Sequence, residues 1–481
     1  MKRFILVHFI FLLTINLAES RKIVDHPSVS EAVKLLEIWL EAQRDYEGLP
    51  GLSVAVVHDQ KIIWSGGFGY ANPDKRVKAT SETVHSICSI SKLFTSIAIM
   101  QLRDQGKLRL DDPVSKHLSW FEINNLYSNK GEATVQSLLT HSSGLPRESD
   151  FPYWSPPDFP FPVSKSIKEK ISSQETLYPA DTYFQYSNLG LTLAGEIVAK
   201  VSGTDFDTYI EKNIIKPLGL EDTRTVMPKK LYGKQLAVGH SARNRNGERP
   251  QVELFHAQGI GPAAGFSSTV DDLAKFASWQ FRLLENGGNE IINANTLREM
   301  HRVHFLDEDW QPAWGLGFSV WRDDDKKFIG HGGSCPGYRS QLLIQSNNKV
   351  ATVFMSNASG VNSRMFAQQV YKIFSPALKD ANSEDEIKSL KPEFEKYLGH
   401  YSEAPWGGET AVISWEGELA MVGLPTTSPV KGITKLKYIE DGTFRRIRDD
   451  DELGEEIIFE TDNSGKVIRM WQHQNFAPKF R

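Results

Sequence analysis

Three short groups of residues in this 481-residue chain combine the side chains that acyl-transfer chemistry needs. In Ser89-Ile90-Ser91-Lys92 a hydroxyl and an amine stand three residues apart. On a helix they share a face, so the amine can reach the hydroxyl. A lysine kept partly neutral by burial and neighbouring cations can take the serine proton and make Ser89 a nucleophile. In Tyr186-Ser187-Asn188 a phenol can shuttle a proton to and from a leaving group, while the amide orients the lysine and the substrate. The third group is His331-Gly332-Gly333-Ser334. Glycines on a strand let a substrate backbone approach closely. A strand N–H there can form an oxyanion hole together with the N–H of Ser89.

None of the three patterns is unique, and the elements around each copy decide between them. Ser346/Lys349 falls in a predicted turn and Ser428/Lys431 flanks Pro429, so helical geometry is not expected at either. Ser89 opens the apolar stretch Ile90 to Leu102, hydrophobic on most sides and read as a buried helix; the plain alternative is a helix N-cap. Tyr70-Ala71-Asn72 and Tyr127-Ser128-Asn129 match the second pattern. Only Tyr186 follows a turn-rich run, Pro179 to Thr182, and directly precedes a helix, Leu189 to Val201. His331 to Ser334 should lie on a strand edge. Leu52–Val57 with Ile62–Ser65, and Ser340–Gln345 with Val350–Met355, read as hairpins at the two ends of the region. Amphipathic helices are expected at Ser30–Arg44, Val270–Leu284 and Ser363–Phe374.

In this order the three groups resemble the Ser-x-x-Lys, Tyr-x-Asn and Lys/His-x-Gly motifs of serine beta-lactamases and penicillin-binding proteins. The closer likeness is to class C beta-lactamase-like serine hydrolases, a group that includes D-aminopeptidases, D-Ala-D-Ala carboxypeptidases and esterases. Leu138 to Pro146, and Gly261 to Gly265 before Ser267-Ser268, also look similar. The resemblance covers residues 30–375. It implies an α/β (α+β) fold, with an antiparallel sheet flanked by helices plus an all-helical subdomain. It further implies an acyl-enzyme on Ser89, with Lys92 and Tyr186 sharing general-base and general-acid work in either assignment. Asn188, His331, Gly332, Gly333 and Ser334 would bind substrate, and no metal or organic cofactor is called for.

The departure is His331, where lactamases and carboxypeptidases usually carry a lysine that attracts the substrate carboxylate. A histidine is largely neutral near pH 7. The leading expectation is therefore an esterase or D-aminopeptidase-like hydrolase. Beta-lactamase or D-Ala-D-Ala carboxypeptidase activity is the alternative, because Arg339 could restore a positive charge. A non-catalytic penicillin-binding-like receptor is the rival of another class. Cys88 precedes the proposed nucleophile and Cys335 follows Ser334, so both should be neighbours if the two N–H groups face one oxygen. Some class A carbapenem-hydrolysing enzymes bridge similar positions, which implies a Cys88–Cys335 disulfide, with two buried free thiols as the plain alternative.

Composition agrees with a globular protein: 40% hydrophobic, 24% charged, and 55 Lys and Arg against 60 Asp and Glu. No basic block marks a nucleic-acid binder. Lys2 and Arg3, the apolar run Phe4 to Leu17 and Ala18-Glu19-Ser20 read as a cleavable leader over residues 1–20, hence a secreted or periplasmic protein with no stable membrane span. The hydrolase domain is expected over residues 21–375, a linker over 376–393 and a small β-barrel-like accessory domain over 394–481, with turns at Glu416-Gly417, Asp441-Gly442 and Asn463 to Gly465. The substrate is expected to be a small molecule or peptide, a cell-wall fragment among the options. His301 and His304 lack a third ligand nearby, and His141 reads as a loop residue rather than a chemical one. The segment Phe151 to Pro162 reads equally well as an aromatic lid over the cleft or as a packed cap.

Overall fold

The two hairpins expected at opposite ends of the main region meet edge to edge. In the computed structural model, which describes residues 23–323, 325–383 and 388–481, the strands are β1 (Gly51–His58), β2 (Lys61–Asn72), β3 (Val77–Lys78), β4 (Phe305–Leu306), β5 (Ala313–Trp314), β6 (Ser319–Asp323), β7 (Lys326–Cys335), β8 (Tyr338–Gln345) and β9 (Val350–Ser356). They form one antiparallel sheet in the order β3-β2-β1-β9-β8-β7-β6-β5-β4. β1 pairs with β9 from Leu52 opposite Ser356 to His58 opposite Val350. The continuous apolar run Val54 to Val57 suits this central place, where both faces are covered.

The helices are α1 (Pro27–Glu47), α2 (Ser91–Asp104), α3 (Val135–Thr140), α4 (Asn188–Ser202), α5 (Val270–Asn286) and α6 (Ser363–Ala381). α5 starts where the Thr269 side chain accepts the N–H of Asp272, with Asp271 and Asp272 in its first turn; it packs on β1, β2 and β9. α2 is buried through Leu102, Phe94 lying 5.3 Å from the Phe266 ring and 4.8 Å from that of Phe276. α4 packs against α2, and the Ser187 side chain caps it by accepting the N–H of Gly190 at 2.9 Å. These two helices therefore bring Lys92 and Asn188 into one layer. α6 runs past the expected end at Phe374 and through Pro376, so the start of the expected linker is helical.

The chain divides into two compact units, Leu49–Ala367 and Met1–Gly48 with Gln368–Arg481. The expected leader, residues 1–20, lies outside the described residues. No helix among the described residues is long and apolar enough to cross a membrane. In the second unit eight strands follow in sequence order: β10 (Gly399–Ser402), β11 (Glu409–Trp415), β12 (Glu418–Leu424), β13 (Thr434–Glu440), β14 (Thr443–Ile447), β15 (Leu453–Thr461), β16 (Val467–Gln472) and β17 (Asn475–Pro478). The Asp441-Gly442 turn holds both residues at positive φ, 39° and 80°, as a tight hairpin demands. Tyr401 pairs with Lys479, and His400 exchanges hydrogen bonds with Arg481 and Phe480, so the strands nearly close into a barrel. Tyr397, Tyr401, Phe444 and Phe459 fill it.

α1, grouped from sequence with residues 21–375, is hydrogen-bonded to these barrel strands and their connections. Trp39 Nε1 donates to the Thr426 carbonyl at 2.8 Å. The buried Glu31 carboxylate accepts the Ser414 hydroxyl and, at 3.2 Å, the Gly417 N–H. Glu31→Ala leaves both donors without that acceptor and should lower the stability of this unit by about 1–3 kcal/mol. Urea unfolding of the full chain reads the change; a wild-type midpoint shows that the latch carries no weight.

Candidate active site

Ser89 stands in a single 3-10 turn, Cys88–Ile90, that continues directly into α2. Cys88 makes the bend at φ +50°, unusual for a residue with a side chain. Lys92 follows in the first turn of α2 and is fully buried. Its Nζ lies 3.0 Å from Ser89 Oγ, 2.8 Å from Asn188 Oδ1 and 2.8 Å from the Ala263 carbonyl oxygen. Burial first, and the Arg147 charge after it, bring its pKa down from the usual lysine range to about 7, against an upward pull from Glu148. A neutral amine has two N–H donors and one lone pair. With Asn188 and Ala263 accepting the two donors, the lone pair is left for the Ser89 hydroxyl.

Tyr186 completes the group. Its phenol hydrogen-bonds to Ser89, and burial pushes its pKa up, so it stays protonated at neutral pH. Lys92 Nζ and the Arg147 guanidinium carbon each lie 4.9 Å from its ring centroid. The loop before α4 is zipped to the loop after α3: Asp181 N–H to Ser142 O at 2.7 Å, Gln185 N–H to His141 O at 2.8 Å, and Asn188 N–H to Arg147 O at 2.7 Å. Gly144 permits this approach, because at its φ of +70° an added Cβ would lie 2.0 Å from the Tyr178 carbonyl oxygen.

On the other side, β6 pairs with β7 only as far as Gly330, so His331 to Cys335 has a strand partner on one side, β8, and packs beside the Cys88–Ile90 turn on the other. A Cβ on Gly333 would sit 2.3 Å from the Ile87 carbonyl oxygen and 2.0 Å from Ser340 Oγ. The bare glycine backbone is what lets the strand reach the serine turn. Gly332 and Ser334 are exposed beside it.

A cleft of about 310 Å³ opens over these groups, lined by Ser89, Asn188, Ser334 and Cys335 among the expected residues, and by Arg147, Glu148, Trp154 and Arg339. His331 is not in its lining. Its ring is buried 6.2 Å from that of Tyr186 and 5.5 Å from that of Trp314, and burial followed by the Lys92 charge lowers its pKa to about 3. It therefore brings no positive charge. Arg339 donates to the Cys335 and Tyr338 carbonyls at 3.0 and 2.8 Å, and no carboxylate pairs with it among the described residues.

Glu148 was not singled out from sequence. Its carboxylate accepts Asn188 Nδ2 at 2.8 Å, Trp154 Nε1 at 3.1 Å and the Tyr153 hydroxyl, and pairs with Arg147 at 3.4 Å. The bond to Nδ2 turns Asn188 Oδ1 towards Lys92. An acid two residues beyond the Ser143 to Pro146 turn was the available signal. The Ala263 carbonyl had only the Gly261 to Gly265 run to mark it, and Trp314 had no mark at all.

One expectation needs correction. The Cys88–Cys335 disulfide is absent: both are buried free thiols. They are neighbours, each near the Ser86 hydroxyl at 3.6 and 3.9 Å, but Cys88 also points at the Ser86 carbonyl and Cys335 at that of Ala264. Burial and the adjacent thiol raise the Cys335 pKa, which keeps it protonated and unreactive. Of the two readings left open for the aromatic segment, the packed cap describes most of it. Tyr153, Phe159 and Phe161 are buried, with Phe161 stacked 5.3 Å from Phe255, and only Trp154 reaches the cleft.

Residues 38–372 match the family described as Beta-lactamase. A curated relative, Beta-lactamase-like protein 2 of Dictyostelium discoideum, is 27% identical over 357 residues, covering 73% of this chain and 64% of that protein. This chain thus spans less than two thirds of that relative's length. Among solved structures, the octameric penicillin-binding protein homologue from Pyrococcus abyssi superposes with a TM-score of 0.63 at 24% identity, over 93% of this chain and all of that one. The D-amino acid amidase from Ochrobactrum anthropi SV3, solved with L-phenylalanine amide, gives 0.60 at 22% over 73% and 99%. At such identities the likeness establishes the fold, a beta-lactamase/transpeptidase-like one.

Trp154→Ala should change the ratio of kcat/KM between aromatic and small acyl groups while leaving Tm nearly unaltered. Tyr153→Ala should do the reverse, losing about 3–5 kcal/mol as large buried aromatics do. Equal shifts in preference for both variants would refute the division.

Proposed function

The chain belongs to the beta-lactamase family, and from that premise we propose that it is a serine hydrolase that cleaves an ester or amide bond through an acyl-Ser89 intermediate. The observation that carries this reading is the Lys92 amine, buried and within 3.0 Å of Ser89 Oγ with its two other directions occupied by acceptors. Ser89 Oγ attacks the carbonyl carbon as its proton passes to neutral Lys92. The carbonyl becomes an oxyanion, for which the N–H groups of Ser89 and Ser334 are the proposed donors. The protonated Tyr186 is suited to pass a proton to the leaving nitrogen or oxygen as that bond breaks and to regain one from the water that attacks the acyl-enzyme, while the proton held by Lys92 returns to Ser89 Oγ as its bond to the acyl carbon breaks. The raised phenol and the lowered amine both support Lys92 as the first base.

Within this reaction the favoured substrate is a D-amino-acid amide or peptide. Support comes from the likeness in fold to the D-amino acid amidase, and from a buried His331 that offers a substrate carboxylate no charge. One observation favours a second reading, beta-lactamase or carboxypeptidase action: Arg339 lines the same cleft without an acidic partner among the described residues. Export through the leader at residues 1–20 belongs to the proposal and rests on the sequence alone.

Labelling with a fluorophosphonate and with a fluorescent penicillin separates these readings. Phosphonate labelling that disappears in Ser89→Ala, without penicillin labelling, is the expected result; penicillin labelling moves the assignment to the second reading, and no labelling by either defeats the enzyme. Because Lys92 must be uncharged to act, kcat/KM should rise with pH through an apparent pKa of about 7, being lost below it as the amine takes up a proton. Lys92→Met should lower kcat/KM by about 10²–10⁴-fold. A rate that is flat through neutral pH removes the lysine from the role of base.

A further inference from the structure

Both chain neighbours of Tyr186 are held by one residue that the reaction above does not use. The His141 carbonyl accepts the N–H of Gln185 at 2.8 Å, and its Nδ1 accepts the N–H of Ser187 at 3.1 Å. Between these two bonds its ring lies against that of Tyr186, the centroids 4.2 Å apart and the planes inclined by 33°. Trp314 meets the imidazole edge-on at 5.0 Å and Phe184 at 5.9 Å, leaving it little freedom to turn. His141 is itself in an unusual conformation. It is buried, ends α3 at φ +57° and ψ +29°, and donates its own N–H back to Ser137 O. Glycine or asparagine is the ordinary occupant of such a left-handed helix end. A histidine kept there, with its carbonyl and its Nδ1 both spent on the flanks of Tyr186, has a geometry that plain termination of a short helix does not require.

We propose that His141 is a positioning residue, a neutral imidazole that clamps Tyr186 within hydrogen-bonding reach of Ser89. The inference rests on the reading of Ser89 and Tyr186 as reacting groups. The clamp works only with Nδ1 unprotonated, since Nδ1 accepts from Ser187. The groups that face the ring keep it so: burial acts first, the Arg147 charge in the loop after α3 repels a further proton, and any proton on Lys92 of α2 or His331 of β7 would do the same. Tyr186, the aromatic it touches most closely, is held in its neutral form as well.

His141→Gly and His141→Asn test this together. Glycine is at ease at positive φ and keeps the carbonyl, but removes the ring and Nδ1. Asparagine also tolerates that conformation and returns a side-chain acceptor. With p-nitrophenyl acetate and D-alanine p-nitroanilide as substrates, His141→Gly should lower kcat about 100-fold with KM nearly unchanged, the size of loss that a small displacement of a reacting group brings. His141→Asn should regain most of that loss, and the rate of fluorophosphonate labelling at Ser89 should follow the same order, with Tm recorded for each protein. Wild-type kcat in His141→Gly, or equal losses in both variants, overturns the clamp while the labelled Ser89 leaves the hydrolase reading intact. A wild-type chain that neither labels nor turns over substrate defeats that reading, and the clamp with it.

Discussion

An amine shut away from water, with hydrogen-bond acceptors in two of its three free directions, is the constraint on which the rest of this site depends. In water Lys92 would be an ordinary cation; here the loss of hydration makes its charge costly, and the acceptors at Asn188 and Ala263 are satisfied equally well by a neutral –NH₂. What remains is a lone pair and a hydroxyl 3.0 Å away. Each surrounding element has a part in keeping that arrangement. α2 carries the amine into the interior, α4 brings the amide oxygen, Glu148 fixes which end of that amide faces the lysine, and the run from Gly261 to Gly265 bends so that a backbone carbonyl points inward. The same burial protects the protonated state of Tyr186, so one physical cause lowers the amine and raises the phenol, as the proposed base and acid require.

Much of this was legible in the residues, for reasons that can be stated. Ser89 and Lys92 obey the local geometry of a helix, so their spacing alone puts them on one face. The hairpins are marked by apolar runs and turn residues, and the barrel by Glu416-Gly417 and Asp441-Gly442, which the structure places in turns with positive φ. Less legible were contacts made by groups that carry no type-specific signal. The Ala263 oxygen is a peptide carbonyl like any other, and the buried place of Trp314 beside Tyr186 follows from packing rather than from pattern. Glu148 looked like any surface acid until the two zipped loops enclosed it.

The cysteines and α1 show where local reasoning stops. Proximity of Cys88 and Cys335 followed from the expected geometry of the two N–H groups, but proximity does not decide whether sulfurs bond. Each thiol here has a backbone carbonyl to face instead. α1 announced an apolar stripe, and an apolar stripe says that a partner exists without saying which. Its Glu31, Trp39 and Gln43 bind the barrel strands and their connections, residues more than 380 positions away.

Gly333 has a consequence for how such a site can diversify. The strand meets the serine turn backbone to backbone at Gly333, with the Ser340 hydroxyl tied to the Ile87 carbonyl beside it, so the spacing there is set by peptide geometry and one small side chain. Substitutions elsewhere cannot easily widen or narrow it. Arg147, Glu148 and Trp154, by contrast, sit on a loop whose side chains reach the cleft, and Arg339 stands at its rim. Change at Trp154 and Arg339 alters the cleft without touching Lys92, whereas Arg147 and Glu148 act on both, since Glu148 holds Asn188 and the Arg147 charge reaches the Lys92 amine.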